Sequence, residues 1–367
     1  MFSSRPSTAP DFLLSRATGS VRTQGAQQTF DDLDAAVAAL RSGDVEIIVG
    51  ALPFERGARV ALTVPESIIR EDGPLEPHAH YRNRTLNARV TGFEPEPEEH
   101  LRRVEAAIAT IQESKLDKVV LARAVDIEFS EPTDPRLVAA RLIDMSYHRD
   151  GFIADLTPAG REGAMLVGSS PEVLIKRQGS TVSAFPLAGS AARQKDKARD
   201  ILAGQDLARS PKDLREHAFV VDHLRRILSP LCETLDAPLT PQLMKTNEMW
   251  HLGTPVVGTL KDPHLTALEL AALVHPTPAI CGTPTDAAES VIQTAESDRG
   301  FYAGTVGWCD NSGDGEYMVA IRCAEVSGDG LTARAWAGGG IVSDSDANAE
   351  LEETSAKLRT ILRALGL

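Results

Sequence analysis

PEPEEHLRRVEAAIATIQESKLDKVVLARAVDIEF (95–129) decides the fold class. Leu101, Val104, Ile108 and Ile111 recur at the spacing of one helix face. A short Lys-Leu-Asp connection follows, and KVVLARAVDIEF, rich in β-branched residues, then reads as a strand. Downstream, a helix is expected over 134–145. Strands are expected around GFIADL (151–156), AMLVGS (164–169), EVLIKRQ (172–178) and TVSAFPL (181–187), with a hairpin turn at Gly179 joining the last two. A helical stretch over 195–235 breaks at Ser210–Pro211, where a Ser-Pro pair suits a fresh helix start. HLGTPVVGTL (251–260), FYAGTVGWCD (301–310), EYMVAIRCAEV (316–326) and LTARAWA (331–337) read as strands, and 348–365 as a final helix. Strands and helices mix without regular βαβ alternation, which is the pattern of an α+β fold.

Upstream, residues 1–30 are polar and rich in Pro, Ser and Thr, and are expected to be loose or extended. FDDLDAAVAAL (30–40) reads as a short helix, and DVEIIVGALPF (44–54) and ARVALTV (58–64) as buried strands; 65–89 reads as a surface excursion. No repeat of solenoid period is present. No Pro/Gly linker interrupts the chain after Pro97, so one domain over 1–367 is expected, its N-terminal part (1–94) less clearly defined than 95–367.

The chain has 367 residues, 42% hydrophobic and 25% charged, enough to bury a large core without staples. Acidic residues outnumber basic ones, 52 to 38, for a net charge of −14, which disfavours gripping nucleic acid or anionic membranes through the whole surface. Cys232, Cys281, Cys309 and Cys323 form no C-x-x-C pair and suit a reducing cytoplasm. The first residues lack the apolar run of a secretory signal, and no apolar run approaches the ~20 residues of a membrane span. A cytoplasmic protein with neither nucleic acid nor membrane partner is expected.

Several residues could carry chemistry. In the last helix Leu351, Leu358, Leu362 and Leu365 form the apolar stripe, and Glu350, Glu353 and Lys357 lie along one edge of it. Two carboxylates there can hold a hard cation, or they can simply complement the helix dipole; that segment alone favours the second. The stripe Val220, Leu224, Ile227 and Leu231 extends back onto Glu216, and a carboxylate on a buried face costs several kcal/mol unless it is paired or metal-bound. Lys118 opens a strand as an edge gatekeeper or as a desolvated amine able to act as a base. Glu172, after Ser-Ser-Pro, is a surface carboxylate or a buried acid. Gly338-Gly339-Gly340 is a tight turn or bare backbone for an anion. Arg322, within an apolar strand, needs an anionic partner, structural or bound.

Together, KVVLAR (118–123), SSPE (169–172), PLAGSAAR (186–193), REH (215–217), WHLGTPV (250–256), HPTPAICGTP (275–284), DRGFYAGTVGW (298–308), IRCAE (321–325) and AGGGIV with ELEETSAKL (337–342, 350–358) resemble, in order, the chorismate-utilising enzymes, above all isochorismate synthases. The resemblance covers about the last 270 residues strongly and the first 90 in outline. It implies a single α+β domain of the anthranilate synthase component I type, a β-sandwich flanked by helices, with Mg²⁺ and the dicarboxylate chorismate. By position, Lys118 resembles the base that activates water for attack at C2, and Glu172 the acid that protonates the departing C4 hydroxyl. Glu216 and Glu353 resemble the metal ligands, with Glu350 and Asp213 near them. Arg322, Tyr302, Lys357 and the Gly338–Gly340 backbone resemble carboxylate-binding groups. Gly189, Ser190, His251 and Ala279 fall in substrate-pocket segments.

The same resemblance narrows the reaction. Ala188 stands where aminodeoxychorismate synthases with a lysine nucleophile carry it. Lys118 stands where anthranilate synthases commonly have Gln, which implies water as nucleophile and no glutamine amidotransferase subunit. Ala279 is the isochorismate-type residue where salicylate and anthranilate enzymes usually carry Thr. Tyr302 departs from the Phe of some isochorismate synthases and leaves pyruvate elimination, as in salicylate synthases, as the alternative. The resemblance thus implies an isomerase, monomeric by default, feeding siderophore or menaquinone biosynthesis. A catalytically dead chorismate-binding regulator would be expected to lack Lys118, Glu172, Glu216 or Glu353, and all four are present.

Overall fold

The strand Lys118–Phe129 is buried at almost every position. With both faces covered, it lacks the in–out alternation of a half-exposed strand. The computed structural model describes residues 9–82 and 85–367. One edge of this strand pairs antiparallel with Thr332–Ile341, from Thr332 opposite Glu128 to Ile341 opposite Val119. Its other edge is shared by Ala88–Glu94 and Gly282–Thr283. Beyond Thr332–Ile341 the sheet runs through Cys323–Val326, Met165–Gly168, Gly151–Asp155, Phe12–Arg16, Gly19–Gln24 and Ser67–Glu71. A second sheet orders Cys232–Asp236, Val256–Leu260, Thr181–Phe185, Val173–Gln178, Gly315–Val319, Thr305–Asp310, Ile47–Leu52, Ala61–Val64 and Gln28–Phe30. A small third sheet joins Leu187–Ala192, Met249–Gly253 and Gln242–Lys245.

Successive strand residues face opposite ways, and the core divides accordingly. Phe12, Leu14, Phe152, Ala154, Leu166 and Trp336 of the first sheet join Val49, Ala51, Val182, Val306 and Met318 of the second in one apolar cluster, the sandwich interior. Their neighbours Leu13, Ile153, Val167 and Ala335 belong to another cluster with Leu137, Val138 and Ile143 of the helix Pro135–Met145 and Leu358, Ile361 and Leu365 of the helix Ala347–Leu365. The sandwich therefore has helices on its outer face, and the α+β reading holds.

Several expectations need correction. Residues 12–30, expected to be loose or extended, are extended but paired: they form three strands, two in the first sheet and one in the second, because Phe12, Leu14, Val21 and Phe30 are apolar enough to bury despite polar neighbours; residues 1–8 lie outside the described part. The surface excursion over 65–89 contains the largely exposed edge strand Ser67–Glu71. The helical stretch 195–235 resolves into Lys197–Leu207 and Pro211–Leu228, and its tail is the strand Cys232–Asp236. Ala267–Val274 and Thr285–Ala295 are helices that the sequence reading passed over. EYMVAIRCAEV is not one strand. Gly315–Val319 lies in the second sheet and Cys323–Val326 in the first, and the chain crosses between them through Arg322, whose φ of 52° is left-handed. Gly338–Gly340 is no turn but the end of the strand Thr332–Ile341.

Ile361→Ala should lower unfolding free energy by about 2–5 kcal/mol, because Ile361 is fully buried between the last helix and the sheet. Urea denaturation should show a lower midpoint with an unchanged slope.

Candidate active site

The site lies where the chain passes from one sheet to the other. Glu172 stands on the crossing from Met165–Gly168 to Val173–Gln178, and Arg322 on the crossing from Gly315–Val319 to Cys323–Val326. A cavity there is lined by Glu172, Gly189, Ser190, Glu216, His251, Ala279, Tyr302, Arg322, Gly338, Gly340, Glu353 and Lys357, twelve of the residues singled out in the sequence. Four others are not on its wall. Lys118 lies fully buried beneath Glu216, and Asp213, Gly339 and Glu350 lie behind the lining.

Burial pushes the Glu172 carboxyl up to about 7, although the Leu187 backbone amide and the charges of Lys118, Lys357 and Arg322 pull the other way. The Lys118 ammonium nitrogen is 3.0 Å from Oε1 of Glu216, without a well-directed hydrogen bond. Burial pushes Glu216 up, but Lys118 outweighs it, helped by Lys212 and Lys357, and holds that carboxyl below its ordinary range. Of the two readings left open by the sequence, an edge gatekeeper or a desolvated amine, Lys118 is the buried one, and it is ion-paired with Glu216.

Three glycines make this approach feasible. A Cβ at Gly340 would stand 2.1 Å from Oε1 of Glu216 and 3.0 Å from Cε of Lys118. One at Gly339 would meet Oε2 of Glu350 at 2.8 Å, and one at Gly338 the Tyr302 hydroxyl at 2.9 Å. Alternation along the strand sends Gly338 and Gly340 to the cavity side and Gly339 to the helix side, so bare backbone accommodates acidic groups on both faces.

The carboxylates expected to bind metal come from two helices. Pro211–Leu228, whose Ser210 cap accepts the Asp213 N–H, carries Asp213 and Glu216; Ala347–Leu365 carries Glu350 and Glu353. Among the described residues no three His, Cys, Asp or Glu side chains are gathered into a group that could hold a metal ion. Two of the four carboxylates are paired with lysines: Lys212 donates to Oε1 of Glu350 at 2.9 Å, and Lys357 lies 2.6 Å from Oε1 of Glu353. Their mutual repulsion remains visible. Burial and the Glu353 charge push Glu350 up to about 7, and burial with the Glu216 and Glu353 charges raises Asp213. Oε2 of Glu350 is buried without a partner. This all-oxygen donor set, with one buried oxygen unpartnered, fits a hard divalent cation.

The remaining wall is cationic and aromatic. Arg322 is buried beside Glu172, and Lys357 also donates to the Gly338 carbonyl at 2.9 Å. Tyr302 stacks on Trp336, with centroids 5.7 Å apart. On the small sheet Ser190 lies directly opposite His251, with Oγ to Nδ1 at 2.9 Å, and Nε2 of His251 is buried without a partner. Burial holds this imidazole neutral, well below its ordinary pKa. Gly189, with φ +75°, forms the irregularity that lets the strand pass Asp213. Sequence reading missed Lys212, although it lies one helical turn from Glu216, and Trp336, although it shares a strand face with Gly338. It also missed His217, whose ring bridges the Ala188 carbonyl (3.2 Å) and the Thr254 hydroxyl (2.7 Å) beneath the site.

Gly340→Ala should cost at least about tenfold in turnover, since the new methyl must displace either Glu216 or Lys118 and a small misplacement near reacting groups is that costly. Steady-state kinetics on folded protein would check it.

Comparison with known proteins agrees with this geometry. Residues 65–366 match the family model described as chorismate binding enzyme. Isochorismate synthase DhbC of Bacillus subtilis is 43% identical over 325 residues, 88% of this chain and 81% of that protein. A Mycobacterium tuberculosis protein named as a candidate isochorismate synthase MenF is 44% identical over 366 residues, 98% of this chain and 96% of its own. A crystal structure from Bacillus anthracis, described as a candidate 2,3-dihydroxybenzoate-specific isochorismate synthase, superposes with a TM-score of 0.90 at 38% identity and covers 98% of this chain and 97% of that one. With the match spanning most of its length and the relatives agreeing, this chain belongs to the chorismate-binding enzymes.

Proposed function

We propose that this protein is an isochorismate synthase, an isomerase that converts chorismate reversibly to isochorismate. The observation that carries the reading is the pairing of a buried acid, Glu172, raised to about 7, with the cations Arg322 and Lys357 in one cavity. Such a cavity suits a dicarboxylate whose leaving hydroxyl needs a proton. Lys118 must first give up its ammonium proton; as the neutral amine it then takes a proton from water as the water oxygen bonds to C2. The ring double bonds shift, the C4–O bond breaks, and Glu172 protonates the departing hydroxyl. One water enters and one leaves, so product and substrate are isomers. Arg322 and Tyr302 bind one carboxylate, and Ser190 fixes the ring of His251 so that Nε2 faces the substrate.

Enzymes of this family are metal-dependent. Glu216 and Glu353, with Asp213 and Glu350 behind them, would hold Mg²⁺ here; the ion would offset their repulsion and bind the ring carboxylate. Since water is the nucleophile, no amidotransferase subunit is needed, and the protein works as a monomer in the cytoplasm. The product supplies siderophore or menaquinone biosynthesis.

Purified protein given chorismate and Mg²⁺ without ammonia should form isochorismate by chromatography, and Lys118→Ala or Glu172→Gln should each lose roughly 100-fold or more in turnover. Salicylate plus pyruvate as the main product would favour the eliminating reaction instead. A second expectation concerns pH. An acid must be protonated to act, and a raised pKa keeps Glu172 neutral below about 7. Turnover should therefore fall as pH rises through about 7, and this alkaline limb should be absent from the residual activity of Glu172→Gln. An alkaline limb retained unchanged by that variant would exclude Glu172 as the acid.

A further inference from the structure

The outer edge of the strand that begins with Lys118 is paired at its start with Gly282–Thr283 and from Ala124 onward with Ala88–Glu94. Between them, the edge lacks a continuous partner strand. Two side chains complete it. Oε1 of Glu296 accepts the Ala122 N–H at 2.7 Å, and Nη2 of Arg299 donates to the Val120 carbonyl at 2.8 Å. The Val120 N–H donates to the Cys281 carbonyl at 2.7 Å.

The guanidinium of Arg299 does more than fill an edge. Nη1 donates to the Ile280 carbonyl at 2.8 Å, next to Ala279 on the cavity wall. Nε and Nη2 grip Glu296 at 2.7 and 2.8 Å. The Arg299 carbonyl accepts the Tyr302 N–H at 3.0 Å, and the guanidinium carbon lies 4.5 Å from the Phe54 ring centroid. One planar cation, 3% exposed, thus ties the strand of Lys118, the loop of Ala279 and the turn of Tyr302. Its fork geometry is what lysine lacks.

We propose that Arg299, oriented by Glu296, is a positioning residue that sets Lys118 and Tyr302 in register across the substrate; the inference rests on the isochorismate synthase reading. It predicts a loss mainly in the reacting step: of the carboxylate-binding side chains only Tyr302 hangs on this turn, while Arg322 and Lys357 are held by other elements. The test uses the full chain with chorismate and Mg²⁺, wild type against Arg299→Lys and Glu296→Gln, at a temperature where melting curves show each variant folded.

The expected result for Arg299→Lys is a fall in kcat of at least about tenfold with KM changed less than about threefold, together with a larger share of pyruvate-eliminated product. Glu296→Gln, whose amide oxygen can still accept from Ala122, should lose less. A folded Arg299→Lys variant with wild-type kcat and product ratio would overturn the proposal; should that variant not accumulate folded, unchanged kcat in Glu296→Gln would do so. A wild type that converts chorismate to another product would overturn the functional reading alone, since the kcat ratio still reports on Arg299. A wild type inert toward chorismate would overturn both.

Discussion

A missing side chain at Gly340 is the constraint on which this site depends. Two opposite charges are buried together at the start of a strand, and the space for them is the space a β-carbon would fill. Burying ions is costly, and removing one member of such a pair typically costs about 3–5 kcal/mol because the other is left uncompensated. The glycine, the lysine and the glutamate therefore form one unit contributed by two strands and a helix. Lysine pairing recurs at Glu350 and Glu353. The acidic side of the site is thus neutralised by the chain's own cations, which a divalent ion would have to displace.

Function follows from uneven solvation. The charges of Lys118, Lys357 and Arg322 do not outweigh the burial of Glu172, which stays neutral to about 7, whereas Glu216, also buried, is held charged by its ion pair with Lys118. Similar carboxyl groups in one cavity acquire different proton affinities from their neighbours, which is how a single fold supplies an acid and an anionic ligand at one pH. The neutral imidazole of His251 and the permanent charge of Arg322 complete a wall on which charged and polar groups alternate with Ala279, Ile280 and Trp336.

Much of this was legible in the sequence where local pattern and tertiary role agree. The helix periodicity of 97–113, the strand of 118–129 and the acidic edge of the last helix follow from residue spacing, and the ordered motifs gathered most of the cavity lining. What failed did so for physical reasons. Polar residues over 12–30 concealed strands whose few apolar positions suffice to bury them. EYMVAIRCAEV has the composition of one strand, and only tertiary structure reveals the left-handed residue that splits it between sheets. The three glycines left a turn and a close approach equally open, because bare backbone needed for close approach looks the same as bare backbone needed for bending. Lys212 escaped notice because its pairing with Glu350 runs between two helices, which a one-dimensional reading weighs poorly.

The crossing at Arg322 has a mechanical consequence. Because the strands on either side belong to different layers, the guanidinium rides on the joint between them while Lys357 rides on a helix docked mainly to the first sheet. Any shear of one layer past the other would change the span between these two cations, so the packing of the sandwich interior bears on the size of ligand that could reach both. Substitutions far from the cavity that thicken or thin that interior would retune ligand size without touching a single contact residue.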